Sequence, residues 1–224
     1  MKKQTTLTEV KGLWIWDECN LYLVANGLKP ASFIIYDALY FDREKISQRE
    51  ISRFEKFIGM NGVFFKSDCI KPFLSVYKNE KGEHFKERDI LGISIGKDEE
   101  SLDKLVNAKT SVEIGLALGY PVEAVDAFGK IINGEKRDGI YLVKSLIRAK
   151  KERMQIPTWL AYIGHIPEEL DFVNNTVSKT SIELGERYKE FVRTNNPELA
   201  GRVERSFRDR YESMPEDYRW KSQP

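Results

Sequence analysis

Residues 109–129 read KTSVEIGLALGYPVEAVDAFG, and they divide a β-rich first half of the chain from a helical second half. Thr110 and Glu113 have capping-box spacing ahead of an apolar run, which predicts a helix from Ser111 to Leu118 covered by Ile114, Leu116, Ala117 and Leu118. Gly119 suits the left-handed position that ends a helix, and Pro121 suits the first turn of the next one. A sharp helix-to-helix elbow is therefore predicted at Tyr120. The second helix, to Asn133, is expected to bury Val122, Val125 and Phe128 and to leave Glu123 and Asp126 outside.

Working outward toward the N-terminus, Leu13 to Asn26 reads as an amphipathic helix, with Trp14, Ile15, Leu21, Tyr22 and Val24 around an Asp17-Glu18 pair. Lys29-Pro30 breaks it. Phe33-Ile34-Ile35-Tyr36 reads as a strand buried on both faces. A second capping box, Ser47 with Glu50, predicts a helix to Gly59. Strands are expected at Val63 to Lys66, Phe73 to Lys78 and Asp89 to Ile95, the last two as a hairpin. Beyond Asp98 the patterns are almost all helical, at Asp98 to Asn107, Gly139 to Arg153, Thr158 to Ile163, Ser181 to Thr194 and Pro197 to Ser213. The fold class is α+β: a small mixed or antiparallel N-terminal sheet with helices, then a mostly helical C-terminal half. The regions are 1–97, 98–213 and a tail at 214–224, gathered into one compact unit.

Leu118-Gly119-Tyr120-Pro121, followed by Val125 and Phe128, resembles an uncharacterised archaeal family. In that family's pattern two cysteines stand where this chain has Glu123 and Ala124. The pattern also has His-x-Pro-Cys, matched here by His165-Ile166-Pro167-Glu168, before a Ser-rich helix start matched by Ser178 to Tyr188. The resemblance covers roughly the C-terminal half and implies no activity. The cysteines that look like metal or iron–sulfur ligands are replaced, so it does not hand on their chemistry. Glu123, His165 and Glu168 at those positions form a donor set for a hard or borderline divalent ion, which makes a metal-dependent enzyme one alternative.

Composition narrows the classes. With 36 basic and 35 acidic side chains the net charge is +1, which gives no global attraction to nucleic acid or membranes. No apolar run approaches the roughly 18 to 20 residues of a membrane span, and the polar start MKKQTTLTEVKG leads into no signal-peptide core, so a cytoplasmic location is expected. Abundant Lys, Glu, Arg and Ile with few Gln suit a thermophilic source. Cys19 and Cys69 have no framework spacing, and free thiols are expected.

The segment Lys109 to Gly115, KTSVEIG, recurs as Lys179 to Gly185, KTSIELG. Both copies read as capping boxes with a glycine just inside the helix, where its usual cost of about 0.8 to 1 kcal/mol invites a packing reason. If the two helices meet at Gly115 and Gly185, their N-termini converge near Tyr120 and His165 and favour an anion. Glu113 and Glu183 compete for the same amides, while Lys109 and Lys179 argue for the anion. The leading functional expectation is therefore non-enzymatic binding of a small anion or a macromolecular partner by Lys109, Thr110, Tyr120, His165, Lys179 and Thr180. No cofactor is indicated.

Other motifs are weaker. Gly92 to Lys97, GISIGK, has the wrong spacing for a phosphate loop and runs into Asp98, Glu99 and Glu100, so it reads as a helix start capped by Asp98. His84 and His165 are the only histidines, which excludes multi-His zinc sites. The basic helix 136–153, with Lys144, Arg148 and Lys151 beside an apolar stripe, makes RNA the nucleic-acid alternative, with Tyr141, Trp159 and Tyr162 as stacking platforms. Val203, Phe207 and Tyr211 on the last helix offer a face for a homo-oligomer.

Overall fold

The computed structural model describes residues 13–37, 45–68, 71–79, 82–126 and 179–213, with side chains for all of these except 71–79, 82–88, 179, 207 and 210–213. The chain divides into two compact units, Met1–Ala108 and Lys109–Pro224. The first is α1 (Ile15–Ala25), β1 (Ala31–Asp37), α2 (Gln48–Met60), β2 (Phe64–Ser67), β3 (Lys71–Asn79), β4 (Gly82–Gly96) and α3 (Glu99–Asn107). In the second, α4 (Ser111–Ala117), α5 (Lys179–Asn195) and α6 (Pro197–Ser213) are described. This is the α+β architecture expected, and the sheet is antiparallel throughout.

The sheet is built on β4. β1 pairs along one side of it, with Ile34 opposite Ile93 and Tyr36 opposite Leu91. On the other side β2 pairs with residues 93–96 and β3 with residues 82–90, so β3 and β4 form the expected hairpin. β4 starts earlier than the expected Asp89, because the charged stretch 82–88 pairs with β3 along its length. Regular backbone pairing overrode a polar composition there.

β1 is not buried on both faces. Ser32, Ile34 and Tyr36 are buried and Phe33 and Ile35 exposed, the period-2 alternation of a strand with one covered side. Ile34, Tyr36, Leu91, Ile93 and Ile95 share the core face by register. α2 reaches this face through Phe54, whose ring lies 4.7 Å from that of Tyr36. Its start at Ser47 is the predicted capping box. Upstream of it Asp89 accepts from the Ile46 N–H at 3.0 Å, fixing the link to β4.

α1 departs from its predicted amphipathic pattern, since every residue from Asp17 to Val24 is buried. It ends where expected. Gly27, at φ 75°, bonds back to Val24 O and Leu28 to Leu23 O, a Schellman turn that folds the chain back along the helix. α3 starts at the predicted Asp98 cap, which accepts from Ser101 N at 2.8 Å. A Cβ at Gly96 would stand 2.6 Å from Leu102 N and 2.8 Å from Asp98 O, so α3 folds directly onto the strand end and only glycine fits.

In the second unit, α5 and α6 pack as a hairpin, and Tyr188, Val192, Leu199, Ala200 and Val203 are buried. Asn196 caps α6 through Leu199 N, and Arg193 spans to Glu204 at 2.6 Å. Val203 is wholly buried, so it is not free to serve the self-association face considered for it. No described helix is long and apolar enough to cross a membrane.

Candidate functional site

The elbow at Tyr120 forms from local sequence. Thr110 Oγ1 accepts from Glu113 N at 3.1 Å, and the Glu113 carboxylate accepts from Thr110 N at 3.0 Å and from Lys109 N at 2.7 Å. These amide bonds, with the Thr110 hydroxyl and the nearby Lys109 charge, hold the Glu113 carboxyl below its ordinary range. Gly119, at φ 80°, closes α4 with a second Schellman turn: its N–H reaches Leu116 O and that of Tyr120 reaches Gly115 O, both at 3.0 Å. Residues 122–126 are helical, and Val125 N bonds to Pro121 O.

Gly115 has the packing reason its position asks for. A Cβ there would lie 2.8 Å from Val125 Cγ2 and 3.7 Å from the Tyr120 ring. The glycine thus lets the turn after the elbow close onto α4. Pro121, Ala124 and Val125 are the buried positions after the turn. Val122, expected in the core, is 59% exposed, because burial at i, i+3 and i+4 from Pro121 turns it outward. Leu116, read as apolar cover, is 47% exposed, and Val112, one turn earlier on the same face, is 40% exposed. Glu123 and Asp126 are exposed as expected.

The two copies of the repeat differ. Lys179 and Thr180 already lie within α5, so Thr180 is not an N-cap and the second capping box does not form as predicted. Thr180 is exposed and Ser181 fully buried. His165, Glu168, Lys144, Arg148 and Lys151 lie outside the described residues, as does the side chain of Lys179. Among the described residues, no three His, Cys, Asp or Glu side chains gather to hold a metal ion.

A second cluster was not read from sequence. The turn after α1 returns Lys29 to the helix, where its Nζ donates to Asn20 Oδ1 at 2.7 Å with the residue only 1% exposed. Burial lowers the Lys29 ammonium to about 8, against the pull of Cys19 and Asp17. Asp17, also buried, accepts from the Ile35 N–H at 3.4 Å. Burial pushes its carboxyl up to about 7, opposed by a Trp16 side-chain hydrogen bond, the Ile35 amide and the Lys29 charge. Cys19 is a free, buried thiol, pushed up to about 12 chiefly by burial, and so is no nucleophile at neutral pH. The signal was present: Ile15, Cys19 and Leu21 to Val24 occupy every side of the helix, so Asp17, Glu18 and Asn20 cannot all face water.

No protein-family model, curated protein or solved structure matches the chain.

Proposed function

We infer that this chain is a non-enzymatic cytoplasmic binding protein that takes a protein partner on the elbow of residues 110–126. The observation that carries this reading is the exposure of Val112, Leu116 and Val122 around a backbone fixed by a capping box, a Schellman turn and the Gly115–Val125 contact. Apolar side chains on a fixed backbone suit a protein interface, since little backbone ordering is left to oppose association. A small anion is the weaker form of the reading. The Lys109 and Thr110 amides already serve Glu113, and Thr180 offers no matching helix start.

A photo-crosslinking side chain placed at Val122 in the full chain tests this. A discrete adduct is expected, and it should be lost in Leu116→Lys with the melting temperature unchanged, because substitutions at exposed positions usually alter stability by less than about 0.5 kcal/mol. An adduct with a second copy would make the partner a homo-oligomer. No adduct, or one indifferent to Leu116→Lys, sinks the reading.

A further inference from the structure

The outer edge of β1 is occupied by the start of its own helix. Leu13 pairs with Tyr36 in an isolated antiparallel bridge, and the Ile35 N–H is directed to the Asp17 carboxylate. An uncovered strand edge offers unpaired donors and acceptors to any other chain, so residues 13–17 stand where a further strand would dock.

The contact at this edge is a titratable group in a dry place. Its countercharge, Lys29, comes from the α1–β1 turn. The other described ionisable groups on the packed elements are Glu18, Cys19 and Tyr22 on α1, Tyr36 and Asp37 on β1, and Asp89 on β4. Glu18 on α1 is buried and acts on Cys19, and Asp37 on β1 is buried. Asp89 on β4 is committed to Ile46 N and Lys45.

We propose that the first turn of α1 is a pH-dependent guard on the edge of β1, with Asp17 as its latch and Lys29 as its counter-charge. Asp17 titrates at 3.8 in water and about 7 in place, so its contribution to the closed form is complete below 3.8 and is lost as pH rises through about 7. Lys29 runs oppositely, from 10.5 in water to about 8 in place, so its contribution is complete above 10.5 and is lost as pH falls through about 8. Between these limits both groups are buried as ions. The guard is therefore held least tightly between about pH 7 and 8, and more tightly on either side.

Hydrogen exchange of the β1 segment in the intact protein, corrected for the intrinsic pH dependence of exchange, reads this directly. A single linked proton permits at most about a tenfold change per pH unit. Protection of β1 is expected to fall at least tenfold from pH 5 to 7.5, while residues 91–95 of β4 do not follow. Asp17→Asn keeps an acceptor for Ile35 N–H but removes the titration, and should abolish the fall. Should that variant not fold, Lys29→Met strips the carboxylate of its cation and should move the upper end of the fall to higher pH. Flat wild-type protection, an undiminished fall in Asp17→Asn, or an unmoved one in Lys29→Met overturns the proposal.

Discussion

Gly115 shows how two opposed effects at one residue are decided by a distance. Alanine normally stabilises a helix by about 0.8 to 1 kcal/mol over glycine. Here its Cβ would sit 2.8 Å from Val125 Cγ2, and Val125 is buried and cannot swing into solvent. Overpacking of this kind costs about 1 to 3 kcal/mol, so Gly115→Ala is expected to lower stability by about 1 kcal/mol, seen as a lower urea midpoint. An increase would show that Val125 yields freely. The need for a small residue was legible in the sequence, whereas its neighbour was not. Two similar glycine contexts suggested a Gly115–Gly185 approach, but the atoms closest to Gly115 belong to its own elbow. Lys29 was illegible for the opposite reason: beside Pro30 it looked like turn punctuation, and only the Schellman geometry of Gly27 carries its ammonium back to Asn20.

At the scale of elements, what is encoded within a few residues could be read and what depends on distant partners could not. The boxes at Ser47 and Thr110 and the cap at Asp98 formed because each uses donors within four residues. The same letters at Thr180 did not, since the helix is already under way at Lys179. β1 failed differently, because four apolar residues in a row say nothing of which side is covered. The observed alternation is directly testable. Ile34→Ala removes a side chain packed opposite Ile93 and is expected to cost about 2 to 4 kcal/mol. Ile35→Ala, on the exposed face, should cost less than about 1 kcal/mol. Equal losses in denaturant titrations of the two variants would mean that both faces of the strand are covered.

For the whole molecule, the division at Ala108 assigns α3 to the sheet and not to the helical half in which its sequence placed it. The cause is packing: Leu102 and Leu105 are buried, and α3 lies against β1, β2 and β4. Net charge and helical periodicity are blind to such an attachment, because a helix that closes a sheet and one that joins a bundle show the same apolar stripe. The first unit has its own core, in which Leu21, Leu23, Ile34, Ile58, Ile93 and Ile95 are wholly buried, and β4 has partners on both sides. A segment of about 108 residues with one continuous core is large enough to fold alone. Residues 1–108 expressed separately should therefore melt cooperatively and keep a near-ultraviolet circular dichroism signal from Trp14 and Trp16, whose rings lie 5.7 Å apart. A broad, featureless melt with retained far-ultraviolet signal would show that the sheet unit depends on residues beyond Ala108 for its specific packing.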